Sequence, residues 1–214
     1  MEFPIRPHRI QDAFTLTSLA VAVLIPFIYY GIQLVCAFYN PSYSFIHQVA
    51  SELGSSNAAR PMLFNFGITV QGVITLIASF GFLRASLRLG VNPTLSLLIL
   101  FALATNGIQM IWAAHFSMPN PRHSGQPPFK IAMFLLPILL SAALWDGSGA
   151  ILKVYLAATL ILLAAMTLIT SSNIGINTTH IKGLTQRLYT LSVFPVLAVS
   201  AIVLAHRYRR QQLA

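Results

Sequence analysis

The sequence predicts an all-α, polytopic membrane protein with six transmembrane helices in one bundle and a short amphipathic helix after the first of them. Two observations predict this class. Of the 214 residues, 56% are hydrophobic and only 8% are charged, whereas an average soluble domain has about 25% charged residues. Six apolar runs also approach the ~20 residues that a helix needs to cross a bilayer. We expect one domain over residues 1–214, since this length leaves no room for a second.

The six runs are interrupted at residues that end or begin helices. A proline stands at or next to the start of the second, third and fourth runs, at Pro61, Pro93 and Pro128, where the first turn of a helix tolerates it. The linker from Asp146 to Gly149 is so short that the fourth and fifth helices must form an antiparallel hairpin. The predicted helices cover about 14–38, 62–84, 94–114, 129–145, 151–171 and 188–205. Prolines inside these runs predict kinks at Pro26, Pro137 and Pro195.

The basic residues indicate orientation rather than nucleic-acid binding. The net charge of +9 comes from 13 basic and 4 acidic residues, most of the basic ones near the ends of apolar runs. Eight lie on the side of the two termini and five on the other side, which predicts cytoplasmic termini and a location in the inner membrane. The single cysteine, Cys36, excludes an internal disulfide and a Cys-rich metal site.

Polar residues are concentrated in the first, third and fifth connections between the runs. With six successive spans, these three connections lie on the same face of the membrane. The first connection contains HQVASELG, from His47 to Gly54. At 100° per residue its apolar residues share one side of a helix, and Gly54 is a typical helix end. The opposite, polar side comprises His47, Gln48, Ser51 and Glu52. We expect either a solvated interfacial helix or a polar cap whose side chains turn inward.

Short motifs in these connections resemble the DUF998 family of bacterial and archaeal membrane proteins. The resemblance includes Ser51-Glu52-Leu53-Gly54 after a lead-in of Tyr43, Ser44, His47 and Gln48, then Arg60-Pro61, Asn65-x-Gly67 and the segment Gly183–Arg187 before the last helix. It implies the same six-helix architecture over most of the chain. It implies no chemistry, because the name denotes unknown function.

The first class of function that fits is a binding or accessory membrane protein. Its extracytoplasmic cap of histidine, glutamate and arginine would recognise an anionic lipid headgroup, a small ligand or a partner subunit, because arginine forks suit phosphate and carboxylate. For a cap whose polar side chains turn inward, we expect Glu52 to be surrounded by Arg60, Arg122 and Arg187, since a buried carboxylate needs such partners. The candidate binding residues are Ser51, Arg60, Asn65, Asn106, Arg122, His123, His180, Gln186 and Arg187.

The second class is an intramembrane hydrolase that modifies a lipid. Its catalytic candidates are Glu52, His47 and His115, with a carboxylate or imidazole as general base. The cofactor would be none or a single zinc or iron ion. The candidate metal ligands are His47, His115, His123 and His180. In either class the expected partners are membrane lipids and either another membrane protein or a second copy of the chain, not nucleic acid.

Overall fold

The computed structural model describes residues 7–123, 127–170 and 177–213, and its side chains from residue 11 and, after the first gap, from residue 131. All regular elements in these ranges are helices. The α-helices are α1 (Pro7–Ala22), α2 (Ile25–Phe38), α3 (Pro61–Arg88), α4 (Pro93–His115), α5 (Pro127–Trp145), α6 (Ala150–Thr170), α7 (Lys182–Leu191) and α8 (Phe194–Leu213). Two short 3-10 helices lie at Ala50–Gly54 and Thr179–Ile181.

Two of the six predicted runs are each divided into two helices by a proline. Helix α1 ends at Ala22 and α7 ends at Leu191, four residues before Pro26 and Pro195 respectively. A proline ring clashes with the carbonyl four residues earlier and offers no N–H to it, so each helix stops at that carbonyl. The prediction of a disruption at these two prolines is confirmed, whereas Pro137 lies inside the continuous helix α5.

With α1 and α2 taken together, and α7 with α8, the described α-helices form six successive segments. At one face, the Tyr208 hydroxyl donates to Asp12 Oδ1 at 2.5 Å, which brings the end of α8 to the start of α1. At the other face, a ring nitrogen of His47 lies 2.5 Å from the His180 carbonyl oxygen. We call this second face the loop face. It carries the first loop (39–60), the second loop (116–126) and the third loop (171–181), of which 124–126 and 171–176 lie outside the described residues.

Five stretches in the described part of the chain are long and apolar enough to span a membrane. They are Gln11–Phe38, Pro61–Arg88, Pro93–His115, Ala150–Thr170 and Thr179–Leu213. The remaining segment, α5, contributes the shorter apolar stretch Ile131–Trp145. The protein is therefore an all-helical, integral membrane protein. Arg6, one of the eight basic residues counted on the side of the termini, lies outside the described residues, as does residue 171, the last residue of the predicted fifth helix.

Helix α3 occupies the centre of the bundle and packs against α1, α2, α4 and α8. Its backbone approaches that of α4 closely at two glycines, because a Cβ on Gly72 would lie 2.7 Å from the Gly107 carbonyl oxygen of α4. The reciprocal distance, from a Cβ on Gly107 to the Gly72 carbonyl oxygen, is 2.8 Å. Small residues that allow such backbone contact are a common means of helix association in membranes.

The α3–α4 contact predicts that Gly72→Ala lowers stability. The added methyl group meets backbone rather than a flexible side chain, so the helices must separate, at a cost of about 1–3 kcal/mol. Thermal unfolding of the purified protein in detergent should show a lower midpoint. Gly31→Ala in α2 is the matched control, since no atom lies within 4 Å of its Cβ position and alanine favours helix. Equal midpoints for the two variants would contradict this packing.

Candidate functional site

The HQVASELG stretch does not form the α-helix that its periodicity predicts. The chain turns through His47, and only the second half is helical, as the 3-10 helix Ala50–Gly54. The Val49 N–H donates to the Glu52 carboxylate at 3.1 Å, which caps this short helix. The backbone carbonyls of Phe45, just before this stretch, and of Gln48, within it, accept hydrogen bonds from a side chain of α7. Tertiary partners thus replace the hydrogen bonds that an α-helix would supply.

Arg187 of α7 binds those carbonyls. Its Nη1 donates to Phe45 O at 2.8 Å, to Gln48 O at 3.0 Å and to Gly183 O at 2.8 Å. Its Nη2 donates to the Tyr43 hydroxyl at 2.5 Å. The guanidinium carbon lies 4.8 Å from the centroid of the Phe45 ring, within range of a cation–π interaction. The side chain predicted to bind an anionic ligand therefore holds the first loop in place.

Three further residues of α7 complete this attachment. The N–H groups of Gly183 and Leu184 donate to Ile46 O at 3.0 and 3.1 Å. Any Cβ on Gly183 would lie 2.2 Å from Gln48 O, so the loop backbone approaches where only glycine fits. Gln186 Oε1 accepts from the Ala50 N–H at 2.7 Å. We call Gly183, Gln186 and Arg187, with the loop atoms they contact, the clasp.

Glu52 pairs with a lysine rather than with the three predicted arginines. Lys182 Nζ lies 2.8 Å from Glu52 Oε1, and Gln48 Nε2 donates to Oε2 at 3.0 Å. Partial burial raises the pKa of Glu52, but hydrogen bonds from Lys182, Gln48 and the Val49 N–H, with the lysine charge, bring it below its ordinary value. The carboxylate is held in its charged, hydrogen-bonded form.

The other two predicted arginines lie against aromatic rings. The Arg60 guanidinium is 5.6 Å from the centroid of the Tyr39 ring, and that of Arg122 is 5.5 Å from the Phe116 ring. Both arginines are exposed. The expectation that they surround Glu52 is wrong, because cation–π contacts within their own loops place them elsewhere and Lys182 is the partner.

The four candidate histidines have separate environments. His47 contacts the carbonyl oxygen of His180, and both residues are exposed. His123 Nδ1 lies 3.1 Å from Ala113 O and 3.0 Å from Phe116 O, so it fastens the second loop to the end of α4. His115 is exposed beside the Phe116 ring. Among the described residues, no group of three His, Cys, Asp or Glu side chains is placed to hold a metal ion.

A cavity of about 310 Å³ lies between the helices next to the first loop. Its wall is mostly apolar and includes Phe64, Ile68, Met110, Met133 and Phe194. None of its lining residues is Lys, Arg, Asp or Glu. The lining residues with polar side-chain groups are Tyr29, Ser51, Asn65, Gln109, His123, Gln186, Tyr189 and Thr190.

Four of these polar residues, Ser51, Asn65, His123 and Gln186, are among the predicted binding residues. Asn106 does not line the cavity and is buried, 1% exposed, in α4. The sequence did not single out Tyr189 or Thr190. Gln109 is recognisable only as a polar residue inside an apolar run, a signal that also fits ordinary helix packing.

Two lining atoms are buried without a hydrogen-bond partner in the described structure. They are Gln109 Oε1 and the Tyr189 hydroxyl. Other polar groups of the wall are engaged. Asn65 Nδ2 donates to Gly54 O at 3.0 Å, and the Thr190 hydroxyl donates to Arg187 O at 3.0 Å. Because an unpaired buried polar group is costly, these two atoms mark where a bound molecule would gain hydrogen bonds.

The fold and the site define a polytopic helical membrane protein with an internal cavity beside a clasped loop. The chain belongs to the DUF998 family, described as "Protein of unknown function", whose family model matches residues 21–205. The resemblance carried by the short loop motifs is thereby confirmed. No curated protein and no solved structure matches the chain.

The clasp predicts that Arg187→Gln frees the first loop without unfolding the bundle. The loop carbonyls lose their charged donor, and loss of such bonds costs about 1–3 kcal/mol. Amide hydrogen exchange over residues 44–50 should accelerate by about tenfold or more, because 1.4 kcal/mol corresponds to tenfold in an equilibrium constant. Arg122→Gln is the control and should leave this segment unchanged. Unaltered exchange in Arg187→Gln would show that the clasp does not hold the loop.

The lowered pKa of Glu52 predicts a pH dependence at the acid side. A carboxylate with a depressed pKa in the folded state adds stability above its unfolded pKa, about 4.3 for glutamate. This stability is lost as the pH falls through the lower folded value. The difference in unfolding midpoint between the native chain and Glu52→Gln should therefore be constant above about pH 5 and shrink below about pH 4. A difference independent of pH would contradict the Lys182–Glu52 pairing.

Proposed function

We propose that the protein is a membrane-embedded binding protein that takes a small amphiphilic molecule into the cavity beside the clasped loop. One observation carries this proposal: an apolar cavity of about 310 Å³ has two buried polar atoms, Gln109 Oε1 and the Tyr189 hydroxyl, without partners. Ligand sites are typically concave and mostly apolar, with a few polar groups that fix orientation, and have volumes from about 300 Å³ upward.

The clasp supports the same proposal, because its residues also build the cavity wall. Gln186 lines the cavity while its amide oxygen holds the Ala50 N–H. Ser51, the next residue, lines the cavity and its hydroxyl donates to Met118 Sδ of the second loop at 3.3 Å. Three segments of the loop face thus meet at the cavity. In this proposal their polar residues hold the cavity wall together, rather than only contacting solvent.

The same contacts give less support to the other two functions predicted for the polar cap, which are binding of an anionic headgroup and hydrolysis of a lipid. An anionic headgroup in the cavity would need arginine donors in its wall, but both Nη groups of Arg187 bind loop carbonyls and Tyr43, and neither Arg60 nor Arg122 lines the cavity. A hydrolase using Glu52 as general base would need that carboxylate free, whereas Lys182, Gln48 and Val49 all bind it. Binding of an amphiphile, drawn from the surrounding lipid, requires neither.

A cavity-filling variant tests the proposed function. Ala113 lines the cavity, so Ala113→Phe should occupy its space, whereas Ile108→Phe on the exposed side of the same helix should not. The protein is purified from membranes, and small molecules are extracted and quantified by mass spectrometry. We expect a compound at near-stoichiometric level in the native chain and the control, reduced about tenfold in Ala113→Phe, which corresponds to about 1.4 kcal/mol of binding free energy.

Thermal unfolding of each variant shows whether the fold is retained. Equal amounts of every copurified compound in a folded Ala113→Phe variant and in the native chain would overturn the proposed function.

A further inference from the structure

The charge of the cavity restricts what can bind there. Its wall contains no Lys, Arg, Asp or Glu side chain. Arg187, which follows the lining residue Gln186 on α7, is not part of this wall. Both of its Nη groups donate to backbone carbonyls and Tyr43, and its Nε is buried without a partner in the described structure. An ion entering this space would lose its hydration without gaining a counter-charge, which is strongly unfavourable. The site therefore selects against both anions and cations.

Unpartnered amides continue below the cavity. Gln109 Oε1 belongs to the wall, and Asn106 lies one helical turn deeper on α4. Gln71 of α3 lies at a similar depth, because the adjacent glycines Gly72 and Gly107 are in contact. Both amide atoms of Asn106 and of Gln71 are buried without a partner in the described structure. Gln109 lies six residues before the end of α4 at the loop face. At a rise of 1.5 Å per residue, it is about 9 Å inside the bundle along the helix.

These observations determine the kind of hydrogen bond that the ligand must make. An amide oxygen such as Gln109 Oε1 only accepts, so the ligand must donate to it, while the Tyr189 hydroxyl can donate or accept. A hydroxyl group has the chemistry for both partners, since it can donate to Gln109 Oε1 and accept from the Tyr189 hydroxyl. A ketone, an ether or an ester, which only accepts, would leave Gln109 Oε1 unpaired.

We infer, resting on the proposed binding function, that the ligand is an uncharged lipid alcohol whose hydroxyl lies between Gln109 and Tyr189, inside the helical bundle. Its apolar part occupies the space lined by Phe64, Met110 and Met133. Gln109 and Tyr189 lie within α4 and α7, whereas the lining residues Ser51 and His123 belong to the loops. A hydroxyl between Gln109 and Tyr189 therefore points toward the interior of the bundle rather than toward the loop face.

Photoreactive probes of one chain length test the charge requirement. The full-length protein in lipid nanodiscs is exposed to a diazirine-bearing fatty alcohol, to the matching alkyl sulfonate and to the matching quaternary ammonium compound. Labelled peptides are located by mass spectrometry. We expect the alcohol to label α4 or α5 at the cavity, at least tenfold more than either ion, and Ala113→Phe to abolish this labelling. Equal cavity labelling by an ion would overturn the inference while leaving the proposed function standing.

The methyl ether of the same alcohol probe tests the hydroxyl. It should label the native cavity several-fold less than the alcohol, because it cannot donate to Gln109. In Gln109→Met the two probes should label equally. Ser141→Ala is the control, since it removes another buried, unpartnered polar atom away from the cavity and should preserve the preference for the alcohol.

Equal labelling by ether and alcohol in the native chain would overturn the assignment of the hydroxyl. Labelling that Ala113→Phe does not reduce for any probe would overturn both this inference and the proposed function.

Discussion

The loop face depends on one guanidinium group bound by backbone carbonyls. Arg187 donates to Phe45 O, Gln48 O and Gly183 O and to the Tyr43 hydroxyl. No other side chain could bind all of these acceptors, because only arginine offers five N–H donors in a planar fork. With these carbonyls engaged, the first loop does not need helical hydrogen bonds. The loop instead turns at His47 and brings Ser51 to the cavity. An uncharged residue at 187 would leave several carbonyls without partners in a partly buried place.

The clasp and the cavity depend on the same short helix. Helix α7 carries Gly183, Gln186 and Arg187, and one turn further along it carries Tyr189 and Thr190, which line the cavity. It is separated from α8 because Pro195 ends it at Leu191. The corresponding break before α2 lies beside it, since the Tyr29 and Phe194 rings are 4.5 Å apart. Because of the break at Pro195, α7 does not have to continue along the axis of α8. The contacts between α7 and the first loop therefore set the position of α7.

The sequence predicted the bundle because composition and apolar run length are local properties. It also predicted Ser51, Asn65, His123 and Gln186 as binding residues, and these line the cavity. The roles of charged residues could not be predicted, because Lys182 and Glu52 lie 130 positions apart and nothing in their spacing favours that pair over Arg60 or Arg122. The α-helix predicted from the periodicity of HQVASELG was wrong for a similar reason. Periodicity describes a segment alone, whereas Arg187, from α7, decides which hydrogen bonds its carbonyls make.

The contact between the first loop and α7 is tested most directly by disulfide trapping in native membranes. Ile46→Cys and Leu184→Cys are introduced together with Cys36→Ala. The Leu184 N–H donates to Ile46 O at 3.1 Å, and both side chains are largely exposed, at 48% and 38%. The two thiols should form an intramolecular disulfide rapidly under mild oxidation, detected as loss of maleimide labelling, and Arg187→Gln should slow this reaction. If the cysteines stay free while the protein remains folded, the loop does not lie on α7 and the account of the site is wrong.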